Sequence, residues 1–279
     1  MGMTKYKIIA WLCWPLIALT AGCSSPFFFP DRKFYSDPAE LNPDYESLYL
    51  DTADGGRIHG WWLPAKTPLS KGTLLFFHGN AQNLTSHVIN LAWVSDAGYN
   101  LMVFDYRGYG QSVGDPNVSN ALQDARAAFE WVRLKEGPLF IVGQSLGGAL
   151  AIAFVAANQD VQARIQGLVI DAAFSGYRAI AREKLAAMWL TWPLQYPLSW
   201  FVISGPDPVD EIAKLTGLPK LLIHSRKDTV IPFSHGDRLF QAATPPKQRM
   251  ITETEHTYTF TAQTYRQTLL DFLQAYSHE

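Results

Sequence analysis

Cysteine is nearly missing from this chain of 279 residues. Only Cys13 and Cys23 occur, so neither a disulfide framework nor a four-cysteine zinc site can be built. Charge is scarce as well. Acidic and basic residues make up 17% of the chain and nearly cancel, to −2, which argues against a nucleic-acid partner. No internal repeat or low-complexity block occurs. The leading apolar run, Ile8 to Ala21, is 14 residues long, too short to span a bilayer comfortably. What the chain does have is a hydrophobic fraction of 48%, which excludes a mostly disordered protein. Its length suits one large α/β domain or two small ones.

Lys5 and Lys7, the short apolar run and a small-residue exit read as a secretory signal over residues 1–22. The exit, Leu19-Thr20-Ala21-Gly22-Cys23, resembles the lipobox of bacterial lipoproteins. That resemblance implies cleavage before Cys23, lipidation of Cys23 and attachment to a bacterial envelope membrane, facing the periplasm. Ser24, rather than aspartate, after the cysteine favours the outer membrane over the inner one. A plain secreted chain and an uncleaved anchor are the alternatives. Cys13 would leave with the signal, so the folded domain would hold no thiol nucleophile. Residues 23–44, with Phe27-Phe28-Phe29 among prolines and serines, read as a lipidated tether. Residues 45–279 read as the folded domain.

Within that domain strands and helices alternate. Tyr45–Asp51 and Arg57–Leu63 flank Asp54-Gly55-Gly56, a hairpin signal. Further strands are expected at Gly72–Phe77, Asn100–Phe104, Pro138–Val142, Ile165–Ile170, Lys220–Ile223 and Arg249–Thr252. Helices are expected at Thr85–Ala97, Asn120–Lys135, Ser145–Ala157, Ser234–Ala243 and Tyr258–Tyr276. The pattern implies an α/β fold with a mostly parallel central sheet and helices on both faces. In such sheets the working residues stand at the carboxyl ends of strands.

Four strand ends carry matching chemistry. Gly143-Gln144-Ser145-Leu146-Gly147 is a Gly-x-Ser-x-Gly turn between a strand and a helix, which lifts the Ser145 hydroxyl above the sheet. A serine hydroxyl is a weak nucleophile and needs a base oriented by an acid, here in the chain order Ser, acid, His. Asp228 is the favoured acid. Asp171 is its rival at another strand end, with support of a loop or cap as its more ordinary role. Of the seven histidines, His59, His78 and His87 precede Ser145. His224 reads as a loop support, His235 falls in a helix start and His278 is terminal. His256, which follows the last strand, remains as general base. His78-Gly79-Asn80 closes the fourth strand end. Backbone N–H groups of Asn80 and Leu146 are the expected oxyanion donors, with His78 and Asn83 as braces. Asp105 and Arg107 read as a loop brace rather than a substrate contact.

These motifs together resemble the α/β-hydrolase fold, and within it the BEM46-like branch, over residues 45–276. The resemblance implies a Ser-His-Asp mechanism of the esterase type and an attachment to membranes. Carboxylic ester or thioester hydrolysis through an acyl-enzyme is the expected reaction, on a small-molecule or lipid acyl ester. It requires neither metal nor organic cofactor. An acyltransferase or amidase using the same residues, and a non-catalytic binding lipoprotein, are the other readings.

One insertion stands apart, at about 174–206. From Leu185 to Pro206 no residue is charged, and Trp189, Trp192, Tyr196 and Trp200 fall within it. Its length would allow a membrane helix, against which Pro193 and Pro197 argue. A short helical cap is expected instead. It either packs on the core or exposes aromatics that line an acyl pocket or touch lipid.

Overall fold

The structure is a computed structural model and describes residues 27–200, 202 and 205–277. The segment 1–22 expected as an export signal, and Cys23, expected to be lipidated, lie outside the described residues. The chain begins with β1 (Phe29–Pro30) and α1 (Pro38–Leu41), then β2 (Glu46–Asp51), β3 (Arg57–Leu63), β4 (Thr73–Phe77), β5 (Ala81–Gln82) and α2 (Leu84–His87). There follow β6 (Asn100–Phe104), α3 (Val118–Val132), β7 (Leu139–Gln144), α4 (Leu146–Ala157), α5 (Gln159–Arg164) and β8 (Gly167–Asp171). The chain continues through α6 (Tyr177–Ala186), α7 (Gln195–Trp200), α8 (Pro208–Ile212), β9 (Lys220–Ser225), α9 (Phe233–Ala242), β10 (Lys247–Thr252) and α10 (Gln263–Ala275).

Among the described residues eight strands form one sheet in the order β10-β9-β8-β7-β4-β6-β3-β2. Only β3 breaks the parallel run, pairing antiparallel with both β2 and β6. Side chains alternate across a strand, so β4 sends Leu74 and Phe76 to one face and Leu75 and Phe77 to the other. The Leu75 face packs on α3 through Ala121, Ala125 and Phe129 and on α4 through Leu150 and Phe154. The opposite face is covered by α10 through Leu269, Phe272 and Leu273 and by Leu84, Val88 and Val94. This is the expected α/β-hydrolase architecture.

The N-terminal segment departs from the tether expected at 23–44. From Phe27 onward it is packed on the domain. Phe28 is only 3% exposed and meets the rings of Tyr106 and Tyr109 edge-on. β1 pairs with β5, and the Phe29 N–H donates to the Asn80 carbonyl at 2.8 Å. Asn83 Nδ2 donates to the Asp31 carboxylate at 2.8 Å, and Asn42 is buried with its amide on the Pro64 carbonyl. Burying one phenylalanine contributes about 1.5–3 kcal/mol, comparable with the cost of fixing one or two residues, and these hydrogen bonds add to it.

The helix expected at Thr85–Ala97 is broken into α2 and two 3-10 turns, Val88–Asn90 and Ala92–Val94. The Asn90 carbonyl accepts the Trp93 indole N–H at 2.9 Å, and the Asn90 amide donates to Gln144 Oε1 at 2.8 Å. These side-chain contacts compete with a continuous helical ladder. The last helix also starts later than expected. Residues 256–262 form a loop with a 3-10 turn, so His256 stands on that loop and does not open α10.

Candidate active site

The Gly-x-Ser-x-Gly turn works through close approach. A Cβ on Gly147 would lie 2.1 Å from the Phe77 carbonyl oxygen, and one on Gly143 would lie 2.6 Å from that of Gly147. Without side chains there, α4 seats its first turn on the end of β4. Ser145 is left at φ 56 and ψ −120, a conformation that costs an ordinary residue about 1–3 kcal/mol. Its N–H is fixed by the Asp171 carbonyl at 2.9 Å.

Three residues predicted from sequence meet in one hydrogen-bonded chain. Ser145 Oγ lies 3.0 Å from His256 Nε2, and His256 Nδ1 lies 2.6 Å from Asp228 Oδ2. An ionised carboxylate only accepts, so Nδ1 carries the proton and Nε2 faces Ser145 as an acceptor. The other oxygen of Asp228 accepts the Val230 and Ile231 N–H groups, both at 2.8 Å. Burial alone would raise the Asp228 pKa. The His256 hydrogen bond and charge, with the two backbone donors, outweigh it and hold the carboxyl below its usual value. His224 is a loop support, its Nε2 donating to the Ile231 carbonyl at 2.9 Å.

Asp171 takes a different place. Its Oδ1 accepts the Thr259 hydroxyl at 2.9 Å and its Oδ2 accepts Gln144 Nε2 at 3.0 Å. Burial raises its pKa. It therefore braces the loop that carries His256. Gln144 was missed in the sequence, although a lone amide ending an apolar strand is a readable signal. Its Nε2 also donates to the Thr257 carbonyl at 3.1 Å. Thr259 was missed too, and nothing in the sequence pairs it with Asp171 across 88 positions.

The Asn80 loop is braced as expected. His78 Nδ1–H donates to the Gly79 carbonyl at 2.8 Å. That carbonyl shares its peptide plane with the Asn80 N–H, which therefore points the opposite way. The Tyr106 hydroxyl holds the His78 carbonyl, and the Tyr109 hydroxyl holds that of Asn80. Among the described residues neither the Asn80 nor the Leu146 N–H has a hydrogen-bond partner. Asn83 caps α2. Asp105 and Arg107 both brace loops but do not pair with each other. Asp105 accepts the Leu84 N–H at 2.7 Å and lies 3.4 Å from His78 Nε2. Arg107 instead bridges Asp124 and Asp54, both lines of contact long-range in sequence.

The insertion at about 174–206, expected as a cap, comprises α6, a 3-10 turn at Trp192–Leu194 and α7 among its described residues. Asp207 closes its base by accepting the Tyr177 N–H at 2.9 Å. Among the described residues no helix is long and apolar enough to cross a membrane.

A nucleophile-bearing strand–helix turn, an imidazole and a carboxylate aligned at strand ends suit acyl transfer. Comparison with known proteins agrees. Residues 68–204 match the hydrolase family described as serine aminopeptidase, S33. The YfhR protein of Salmonella typhi is 32% identical over 280 residues, covering 93% of this chain and 89% of that protein. The bem46 protein of Schizosaccharomyces pombe is 31% identical over 296 residues, covering 98% and 93%. The chain belongs to the BEM46-like branch of the α/β hydrolases. It is a serine hydrolase of the esterase-like kind. The lysophosphatidylserine lipase ABHD12 of Xenopus tropicalis is 29% identical to this BEM46-like chain over 237 residues, covering 76% of it and 60% of the lipase. In fold it is similar to the esterase Pf2001 of Pyrococcus furiosus, with a TM-score of 0.71 at 19% identity, over 91% of this chain and all of that one.

Proposed function

We propose that this protein is a membrane-tethered serine hydrolase that cleaves carboxylic esters or thioesters through Ser145, His256 and Asp228. The observation that carries the reading is the continuous chain from Ser145 Oγ through His256 to Asp228 Oδ2, at 3.0 and 2.6 Å. Ser145 Oγ attacks the acyl carbon while its proton passes to His256 Nε2. Asp228 holds the imidazole in that tautomer and stabilises the imidazolium. The Asn80 and Leu146 N–H groups hold the oxyanion. The leaving alkoxide or thiolate takes the proton from His256. Water then gives a proton to His256, attacks the acyl carbon and releases the acid, and Ser145 recovers its proton.

The ABHD12 relatives favour an acyl ester of lipid character as substrate, a single-chain phospholipid among them. The tether is the lipid-modified Cys23, on the periplasmic side of a bacterial envelope and with Ser24 favouring the outer membrane. Ser145→Ala is expected to abolish p-nitrophenyl ester turnover and fluorophosphonate labelling with the thermal transition retained. Undiminished turnover would refute the assignment. Mass spectrometry of the N-terminal peptide and membrane fractionation test Cys23 and the location separately. The S33 family match favours one other reading, an amidase with the same chemistry at Ser145. Faster turnover of an aminoacyl p-nitroanilide than of the matching ester would select it.

A further inference from the structure

The cap turns its apolar side chains outward. Trp189, Trp192 and Trp200 are 87%, 60% and 73% exposed, and Leu190, Leu194 and Tyr196 are exposed with them. A soluble monomer rarely leaves so large an apolar group uncovered without a partner. Two independent observations say what covers it.

The first is where the chain enters. The Phe27 ring lies 5.0 Å from that of Tyr177, the first residue of α6, and 6.0 Å from that of Phe174. Phe27 stands four residues after Cys23, and four extended residues reach at most about 14 Å. Whatever surface holds Cys23 is therefore held close to the root of the cap. The second is charge. The exposed charged residues of α6 are Arg178, Arg182 and Lys184, all cations. Its one acid, Glu183, is turned onto His235 at 3.0 Å and Arg238 at 3.2 Å. A cationic edge beside exposed tryptophans fits anionic headgroups above an acyl layer.

We infer that the cap from Trp189 to Trp200 is a membrane-docking surface. Its tryptophans sit among the headgroups of the bilayer that holds Cys23, with Arg178, Arg182 and Lys184 at phosphate level. The cap leaves the sheet after β8, whose Asp171 carbonyl fixes the Ser145 N–H. The surface is thus rooted on the rim that carries Ser145. The position of Cys23 rests on the tethered reading above. The exposed face and its cationic edge do not.

The test uses the full chain, purified from a host that processes lipoproteins and reconstituted in phosphatidylethanolamine–phosphatidylglycerol vesicles. Brominated acyl chains are expected to quench part of its tryptophan fluorescence. That quenched part should vanish in the triple variant Trp189→Gln, Trp192→Gln, Trp200→Gln. Leu190→Glu with Leu194→Glu keeps every tryptophan and should still reduce quenching several-fold. Equal fractional quenching in all three proteins overturns the proposal. So does concentration-dependent dimerisation without lipid that leaves these tryptophans unquenched on vesicles, which would make the occupant a second copy. Mass spectrometry of Cys23 and turnover of a short soluble ester are read on the same samples. They report failure of the tether or of the Ser145 chemistry separately from failure of the docking surface.

Discussion

Gln144 and Thr257 are joined by a 3.1 Å hydrogen bond that ties the strand before Ser145 to the loop just after His256. The same nitrogen donates to Asp171, which accepts the Thr259 hydroxyl on the far side of that loop. Thr257 itself stands at φ 65, a value that a β-branched residue adopts only where its surroundings impose it. Gln144→Leu removes both donated bonds and frees the loop. The kcat on a short soluble ester is expected to fall about 100-fold with KM nearly unchanged, the size of effect a 1 Å misplacement produces. Asp228→Asn reverses the His256 tautomer and should cost about 10⁴-fold in kcat. Asp171→Asn should fall well short of that. Steady-state kinetics of the three variants decide the matter, and equal losses at Asp171 and Asp228 would make Asp171 the partner of His256.

The strand ends were legible because local chemistry demands local residues. A close turn needs Gly143 and Gly147, and a serine lifted above a sheet implies a base and an acid later in the chain. Ser145, Asp228 and His256 follow from that logic. What escaped was long-range. Phe28 looks like tether until Tyr106 and Tyr109 are seen to enclose it. Arg107 looks like a partner of Asp105 because the two are close in sequence, yet Asp124 and Asp54 offer it better geometry. The break after α2 depends on Asn90 meeting Gln144, 54 residues away. Periodicity carries none of these pairings.

Strain at Ser145 yields a stability prediction that runs opposite to activity. At φ 56 and ψ −120, any side chain is costly, and glycine is not. Ser145→Ala keeps the strain. Ser145→Gly releases about 1–3 kcal/mol and loses about 0.5–1 kcal/mol through greater freedom of the unfolded chain. The glycine variant should therefore melt above the alanine variant by roughly 1 kcal/mol, with both inactive. Calorimetry of the pair checks this, and the reverse order would mean that the turn is unstrained.

The root of the cap should loosen in acid. His235 Nδ1 accepts the Ser175 N–H at 3.0 Å, so its proton is on Nε2 and is donated to Glu183 of α6. Burial pushes the His235 pKa down to about 4. Glu183 opposes that shift, and the nearby charges of Arg238 and His224 add to it. An unfolded histidine titrates near about 6.5. Between these values the unfolded chain binds a proton that the native chain does not, so stability rises with pH. It is full above about 6.5 and is lost as pH falls toward about 4. Hydrogen-exchange protection in α6, taken relative to the intrinsic amide rate at each pH, should be lower at pH 5 than at pH 7, and His235→Gln should remove one proton's share of the Tm slope. His87, pushed down to about 3 by burial and by His78, keeps the remaining slope from vanishing. An unchanged slope in the variant would count against the His235 assignment.

The N-terminal segment gives the sharpest contrast between neighbours. Phe28 is 3% exposed between two tyrosine rings, whereas Phe29 is 58% exposed. Truncating a buried phenylalanine costs about 3–5 kcal/mol, because the cavity adds to the lost burial. In a domain of this size that corresponds to a Tm fall of about 10 °C. Phe28→Ala should show it. Phe29→Ala removes no buried side chain and keeps the N–H that donates to Asn80, so its effect should stay within about 0.5 kcal/mol. The Phe28 cavity also lies under Tyr109, whose hydroxyl holds the Asn80 carbonyl at 2.7 Å. Phe28→Ala should accordingly lower kcat on a short ester, while Phe29→Ala leaves it unchanged. Thermal unfolding and ester kinetics on the same two proteins test both statements. Silence in both variants would return residues 27–29 to the tether.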